Sequence, residues 1–246
     1  MSALQTYLQQ HTLNQFNNEF GSFVKLKKHP QYKNLLLFKY KQSSGNQFKS
    51  EVVKEARGII LDEKDNYKPV CYAYKKFFNY NEKFADEIDW PSALVQEKTD
   101  GSLCCLYFYG NSWCVATTGQ ADAGQYSNST SSSDNFYNLF WKIWQKLKYK
   151  MPSPDDHHFC FIFELMSKEN RIVVRMEDAG HNEIIWLHGV RDMNTLQEVD
   201  PVPVFFLIFF IFLFILLKKS PLLFVNFIGQ FGLNNYSLGP SINGLW

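Results

Sequence analysis

The sequence predicts an α+β domain that contains more strand than helix, and three observations lead to this prediction. Apolar residues recur at helical spacing near the amino terminus and again after residue 135. Short apolar runs, separated by clusters of Ser, Gly, Asn and Asp, fill most of the remaining sequence, which is typical of strands joined by turns. No internal repeat is visible, so these elements do not form a repeat array.

The two helical patterns have different ends. The first covers residues 3–20, and Gly21 follows it at a position typical of a helix end. The second covers residues 136–147, and Pro152 and Pro154 follow it. Strands are predicted over residues 35–37, 58–61, 70–74, 76–78, 95–108 with an interruption at 100–101, 159–166, 171–175 and 183–188. The last three are expected to form one antiparallel sheet, and residues 121–134 a loop.

Composition excludes several classes of protein. The chain has 246 residues, of which 46% are hydrophobic and 20% charged, so it can bury a core. Its net charge of +1 gives no global basic field, and any contact with nucleic acid requires a local basic patch. Five cysteines without a CxxC pair argue against a zinc site and a disulfide scaffold, and they fit a reducing compartment. The first 20 residues are polar and do not have the pattern of a signal peptide.

The clearest chemical feature is the sequence EKTDGS at residues 97–102, which contains Lys98, Asp100 and Gly101. A lysine amine is a nucleophile only when it is unprotonated, a state that nearby cations or a bound metal favour. The Asp-Gly pair predicts a tight turn, and the missing glycine side chain lets the backbone approach a bound nucleotide. A hairpin turn with an exposed lysine has the same pattern, so this motif alone leaves both interpretations open.

Four further segments accompany this motif in a fixed order. They are EARGIIL at 55–61, KKFFN at 75–79, FIFEL at 161–165 and NRIVV at 170–174. Together with residues 97–102 they resemble the adenylyltransferase domain of the T-even bacteriophage RNA ligase 1 family, over about residues 35–201. The resemblance implies a nucleotidyltransferase (ATP-grasp-like) domain with antiparallel sheets and peripheral helices, incomplete at the carboxyl terminus of this chain.

The resemblance also implies a mechanism and its cofactors. Lys98 would attack the α-phosphate of ATP, release pyrophosphate and carry AMP through a phosphoramidate bond. AMP would pass to an RNA 5′-phosphate, and an RNA 3′-hydroxyl would displace it and seal the strand, as in RNA repair or tRNA joining. Such phosphoryl transfer requires in-line geometry, cationic groups around the leaving pyrophosphate and a divalent cation, here Mg²⁺.

The matched motifs assign phosphate and nucleotide contacts. Arg57 and Lys76 would bind phosphates, Phe78 would line the nucleotide pocket, and the Asp100-Gly101 turn would bind the nucleotide. Arg57 could instead be a surface arginine in a salt bridge. One residue of the Phe77–Phe78 pair is expected to pack in the core, because alternate strand residues face opposite ways.

Glu164 is a single carboxylate in an otherwise apolar predicted strand, where it requires a partner. The resemblance places it near the ribose hydroxyls of the nucleotide, and an ion pair with Arg171 is the alternative. Trp186 falls in the segment that the resemblance places beside the adenine. Stacking on the base and packing in the core both stay open for this residue.

The sequence departs from the family pattern at two places. The family has a basic residue before the glycine that follows the hairpin after the nucleophile, and here Thr118 precedes Gly119. A phosphate contact would then be missing or supplied by another residue. The family also continues with a Glu-Gly strand and a Lys-x-Lys strand, and neither occurs after residue 200. These departures predict a chain of low or no activity, with poor folding near its end.

Residues 201–246 differ in composition from residues 1–200, which predicts a ligase domain over 1–200 and a separate apolar tail. Fourteen consecutive apolar residues, 204–217, precede Lys218 and Lys219. A membrane-spanning helix needs about 20 apolar residues. Three interpretations stay open: a membrane or interfacial anchor, a buried core segment, or the product of an unspliced intron or frameshift, which we favour. The expected location is the cytoplasm or nucleus, with membrane association through 204–217 as the alternative.

Three other functions compete with the RNA ligase interpretation. DNA ligases and capping guanylyltransferases share the Lys-x-Asp-Gly nucleophile, and the comparison of ATP with GTP would separate the guanylyltransferases. A non-catalytic nucleotide- or RNA-binding relic would fit the missing strands, whereas the presence of Lys98 argues against it. A membrane-anchored protein with a ligase-like module would partition into detergent.

Overall fold

The computed structural model describes residues 1–42, 45–91, 93, 98, 100–125, 135–167 and 183–199. Within these ranges, the α-helices are α1 (Ala3–Gln10), α2 (Leu13–Phe20), α3 (Glu51–Glu55) and α4 (Phe136–Lys146). The strands are β1 (Val24–Lys28), β2 (Leu35–Tyr40), β3 (Arg57–Asp62), β4 (Lys68–Cys71), β5 (Ser102–Tyr109), β6 (Ser112–Thr117), β7 (Phe159–Met166), β8 (Ile184–Asp192) and β9 (Glu198–Val199). Short 3₁₀ helices cover Gly45–Lys49, Glu63–Asp65 and Pro154–Asp156.

Two antiparallel sheets organise the described residues. The first sheet has the strand order β1-β2-β3-β4, and the second has the order β6-β5-β7-β8-β9. The predicted α+β class with more strand than helix is therefore confirmed for the described part of the chain. The predicted strand over 159–166 coincides with β7, the predicted helix over 136–147 is α4, and β7 and β8 pair in an antiparallel register.

The single helix predicted over residues 3–20 is wrong, because the structure contains two helices there. Thr12 caps the second of them: its hydroxyl accepts a hydrogen bond from Gln15 N, and the Gln15 side chain accepts one from Thr12 N. This reciprocal capping box starts a new helix within the apolar pattern. The turn lets α1 and α2 pack together, with the Tyr7 ring edge-on to Phe16 and Phe20.

Two predicted strands on the first sheet also need correction. The strand predicted over 70–74 is β4, which ends at Cys71, and residues 76–78 do not form a strand. The carbonyl oxygens of Tyr72 and Ala73 accept hydrogen bonds from the Arg191 side chain, which replaces strand pairing there. The edge strand β1 is not predicted, because three lysines interrupt its apolar residues.

The second sheet is covered on both faces, which explains why its strands are almost continuously apolar. Side chains alternate along β5: Cys105 and Tyr107 belong to the core shared with the first sheet, and Cys104 and Leu106 pack towards α4. α1, α2 and α3 complete the shared core, and α4 covers the opposite face of the second sheet.

All five cysteines are buried and free. The sulfur atoms of Cys71, Cys105 and Cys160 lie within 4.8 Å of one another, and the Cys71 and Cys160 sulfurs are 3.8 Å apart. Cys71 ends β4 of the first sheet, whereas Cys105 and Cys160 belong to the second. These thiols therefore lie where the two sheets contact each other.

Several predictions concern residues outside the described ranges. They include the strand over 171–175, most of the loop over 121–134, and the apolar tail over 201–246. In the part of the chain that the structure describes, no helix has the length and apolar character to cross a membrane.

We expect Gly58→Ala to lower the free energy of unfolding by about 1–3 kcal/mol, because Gly58 combines backbone strain with steric crowding. Gly58 has φ +93°, and a Cβ atom there would lie 2.7 Å from Thr118 Cα. Urea unfolding at constant m-value measures the change. Gly45→Ala is the control, because a Cβ atom at Gly45 meets no atom within 4 Å. Equal stability of the two variants would contradict this account of the sheet contact.

Candidate functional site

Glu164 lies near the end of β7, on the face that packs towards the first sheet. It shares this face with Cys160 and Ile162, which belong to the core between the sheets. The backbone N–H of Gly101 donates a hydrogen bond to Glu164 Oε1 at 3.0 Å. A Cβ atom at Gly101 would lie 2.4 Å from Leu165 O, so only glycine fits this close approach of the turn to β7.

Charges from three other predicted site residues act on Glu164. Burial raises the pKa of the Glu164 carboxyl, and the Gly101 N–H, the Lys98 ammonium and the Arg57 guanidinium oppose that rise. The Asp100 carboxylate raises it further. The structure thus brings Arg57, Lys98, Asp100 and Gly101 together around Glu164. The side chain of Lys98 itself is exposed.

Arg57 begins β3 and lies at the junction of the two sheets. Its guanidinium carbon is 4.4 Å from the centre of the Phe77 ring, and Nη1 donates a hydrogen bond to Lys75 O at 3.3 Å. Among the described residues it forms no ion pair with a carboxylate within 4 Å, which argues against the alternative of a salt-bridged surface arginine. An arginine held by a ring and a carbonyl can bind an anionic group of a substrate.

Lys76 and Phe78 contact each other and the Phe48 ring. The Lys76 ammonium lies 4.6 Å from the centre of the Phe78 ring, and Phe78 packs edge-on against Phe48 at 5.5 Å. In the described part of the chain these contacts do not join the pair to Glu164. Phe77 is 54% exposed and contacts Arg57, so the residue of the pair that packs against the core is Phe78. The roles of Lys76 and Phe78 in nucleotide binding stay predictions.

Two residues beside Glu164 were not predicted from the sequence. His188 Nε2 lies 3.9 Å from Glu164 Oε2, and His188 Nδ1 is 3.0 Å from the Tyr74 hydroxyl, whose ring stacks on the imidazole. Burial, and then the charge of Arg57, lower the pKa of His188 to about 4. Its imidazole is therefore neutral near pH 7. The signal that could have identified His188 resembles the one that identified Glu164: an ionisable residue within an apolar run, here IIWLHGV at residues 184–190.

Trp186 lies opposite Glu164 in the register of β7 and β8, so the two side chains share a face. Trp186 is half-buried and does not belong to either buried core. This position favours a role beside Glu164 over packing in the core. The alternative ion partner of Glu164, Arg171, lies outside the described residues.

The donors and charges in this group suit a phosphate-bearing substrate. Two cationic side chains, Arg57 and Lys98, lie around a half-buried carboxylate and a glycine turn whose N–H is already oriented. Carboxylate oxygens also fit a divalent cation such as Mg²⁺, which binds one or two carboxylates together with substrate phosphates. Glu164 and Asp100 are the carboxylates that the structure places here.

Comparison with known proteins identifies the family of the chain. The sequence profile of a family described as RNA ligase matches residues 55–204. The chain belongs to this RNA ligase family. The matched residues include Arg57, Lys98 and Glu164, so the resemblance to RNA ligase 1 that the motifs indicate is confirmed at the level of the family.

Two relatives with similar sequences support the same family. An RNA ligase of Rhodothermus phage RM378 is 30% identical to the chain over 201 residues, which cover 67% of this chain and 44% of the phage protein. A protein of Autographa californica nuclear polyhedrosis virus, provisionally named a bifunctional polynucleotide kinase/RNA ligase, is 30% identical over 163 residues, or 58% of this chain and 22% of the viral protein. The chain thus spans less than half of the length of each of these relatives.

We expect acidification from pH 6.5 towards pH 4 to destabilise the fold through His188. The unfolded chain binds a proton near pH 6.5, whereas folded His188 binds it only near pH 4, so the stability that neutral His188 provides is lost as the pH falls through this window. Glu164 acts with the opposite sign, because its raised pKa stabilises the folded protein as the pH falls towards 4.5. Urea unfolding of wild type and His188→Gln separates the two effects, and the difference should reach about 2 kcal/mol.

The control for this experiment is His158→Gln, in the turn before β7, because its imidazole is not one of the groups described around Glu164. Loss of the same pH dependence in both variants would contradict its assignment to His188. NMR titration of the His188 imidazole measures the same property directly. An imidazole that titrates near pH 6.5 in the folded protein would contradict the burial of His188 beside Tyr74.

Proposed function

We propose that this chain is an ATP-dependent RNA ligase that transfers AMP to its own Lys98 and then to an RNA 5′-phosphate. Membership of the RNA ligase family supports the class of reaction. The proposal takes the fold to be a nucleotidyltransferase domain, for which the two antiparallel sheets and peripheral helices are suitable. RNA ends are the proposed substrates, and tRNA is one candidate among them.

The observation that carries the proposal is the hydrogen bond from Gly101 N to Glu164, with Lys98 close enough to act on the same carboxylate. This contact fixes the turn that follows the nucleophile against the strand that carries Glu164. A nucleotide whose ribose hydroxyls bind Glu164 would then hold its α-phosphate near the turn. Positioning of this kind is the main contribution that a protein makes to phosphoryl transfer.

In the first proposed step the Lys98 amine loses a proton and its nitrogen forms a bond to the α-phosphorus, while the bond to the pyrophosphate oxygen breaks. Arg57 would bind the negatively charged phosphate oxygens. In the second step a 5′-phosphate oxygen of RNA replaces the lysine nitrogen on phosphorus, and the lysine regains its proton. In the third step the 3′-hydroxyl attacks the 5′-phosphate and AMP leaves.

The roles of the remaining residues follow from their positions. Asp100 would help to hold Mg²⁺, which supplies charge neutralisation at the phosphates when bound, whereas Glu164 would bind the ribose hydroxyls. Trp186, on the same face as Glu164, would contact the base. His188 shares a hydrogen bond with the Tyr74 hydroxyl. Its neutral imidazole would keep Glu164 oriented without adding positive charge.

We expect the folded chain to become labelled when it is incubated with Mg²⁺ and ATP carrying ³²P at the α-phosphate, and Lys98→Ala to abolish the label. Lys98→Arg should abolish it too, because arginine keeps the charge but is not a nucleophile at neutral pH. Because the sequence has neither Glu-Gly nor Lys-x-Lys after residue 200, slow labelling is expected. Denaturing gels of quenched reactions measure it.

Three comparisons make this experiment decisive. Lys83→Ala, at an exposed lysine outside the Glu164 group, is the control and should label as wild type does. Labelling by GTP in preference to ATP would indicate a capping enzyme, and transfer to DNA ends in preference to RNA ends a DNA ligase. A folded protein that neither binds ATP nor accepts label would contradict the proposal and favour a non-catalytic relic.

A further inference from the structure

Four lysines line one groove on the first sheet. Lys25 and Lys27 come from β1, Lys39 from β2, and Lys41 from the residues just after it, and the groove has a volume of about 390 Å³. Lys25 pairs directly with Lys39 in the register of β1 and β2, and Lys27 lies two residues further along β1, so these three side chains share one face. The residues that line the groove include no aspartate or glutamate.

Three of these four ammonium groups donate hydrogen bonds to neutral oxygens. Lys27 Nζ donates to Gly119 O at 2.6 Å, Lys39 Nζ to Thr118 Oγ1 at 3.3 Å, and Lys41 Nζ to Gly21 O at 2.6 Å. Among the described residues, none of the four lysines forms an ion pair with a carboxylate within 4 Å. The positive charge in the groove is therefore not neutralised by the described side chains.

One end of the groove lies near Arg57. Lys39 lies opposite Arg57 in the register of β2 and β3, so their side chains share a face. Thr118, which accepts the Lys39 hydrogen bond, has its backbone against Gly58, the neighbour of Arg57. The preceding residue, Thr117, pairs with Cys104 of β5, and β5 starts directly after Gly101. Thr118 thus connects the lysine groove with Gly58 and with the end of β6, the strand that pairs with β5.

The charge of Lys39 is the least well solvated of the four. Burial lowers the pKa of Lys39, and the nearby charge of Lys27 lowers it further. A bound anion would remove part of this penalty, because it would neutralise both ammonium groups at once. Lysines two residues apart on a strand are separated by about 7 Å, so the row suits an extended chain of anionic groups better than one compact anion.

We propose that this groove binds the phosphate backbone of single-stranded RNA, with Lys27 and Lys39 contacting the phosphates nearest the site of ligation. This inference rests on the proposed function for the identity of the polymer. The triphosphate of ATP has the same chemistry, but it would occupy only the end of the groove at Thr118. Four ammonium groups over two strands extend beyond that end, which favours RNA.

Binding of a fluorescein-labelled, 5′-phosphorylated single-stranded RNA of 12 nucleotides, measured by anisotropy without ATP at several NaCl concentrations, tests this proposal. The double variant Lys27→Ala/Lys39→Ala should weaken binding at least 10-fold at low salt. The slope of log K against log [NaCl] should become less steep by about 1.4, because each phosphate contact to a single strand contributes about 0.7. RNAs of different sequence should be affected equally.

The matched control is Lys28→Ala/Lys68→Ala, which removes the same charge. Lys28 is on β1 but faces away from Lys27, and Lys68 is on the strand at the other edge of the sheet. This control should keep the wild-type slope. Lys27→Arg/Lys39→Arg, which keeps both charges, should restore most of the binding, and an unchanged unfolding midpoint confirms that each variant is folded.

Labelling of the same variants distinguishes a failure of the groove assignment from a failure of the proposed ligase function. Labelling of Lys98 at saturating ATP should be the same in wild type and in Lys27→Ala/Lys39→Ala. A double variant that binds RNA as wild type does but needs more ATP for labelling would show that the groove serves the triphosphate, and it would overturn this proposal. Lysine-dependent RNA binding without any label on Lys98 would instead contradict the proposed ligase function and leave the groove assignment standing.

Discussion

A carboxylate that leaves water loses hydration that only hydrogen-bond donors or cations can replace, and Glu164 is in this situation. The donor comes from the turn before β5, and one of the compensating charges comes from Arg57 on the first sheet. Because these groups belong to separate parts of the chain, the carboxylate is stabilised only when both sheets and the turn are in place. The geometry of the candidate site and the packing of the sheets therefore depend on the same contact.

The distribution of charge is compatible with the proposed binding of polyanions by a chain with a net charge of +1. The first sheet contributes Arg57 and the lysine row, and the second contributes the carboxylate and a neutral imidazole. A phosphate-bearing substrate between them would meet cations on one side and a hydroxyl-binding carboxylate on the other. Overall charge conceals this arrangement, because acidic residues elsewhere in the sequence cancel the basic ones.

Local patterns predicted those parts of the fold that local forces determine. The apolar run of β7, the apolar stripe of α4 and the single carboxylate at Glu164 are visible in the sequence and agree with the structure. Contacts between distant residues are not visible in this way. Three examples are the Arg191 bonds that end β4, the Phe77 ring beside Arg57, and the Lys39 contact with Thr118. They join residues from 20 to 119 positions apart. Periodicity contains no information about such pairs, and the departure at Thr118 showed only that a cation was missing there.

The three thiols between the sheets give a kinetic measure of how the two halves of the site separate. Cys71 belongs to one sheet and Cys105 and Cys160 to the other, and all three sulfurs are shielded from solvent. An alkylating reagent can reach them only during an opening of the interface, so the rate of modification reports the frequency of that opening. Any ligand that spans the two sheets must slow this chemistry. The alkylation rate of these cysteines would therefore report whether the site is occupied, although no cysteine atom belongs to the site.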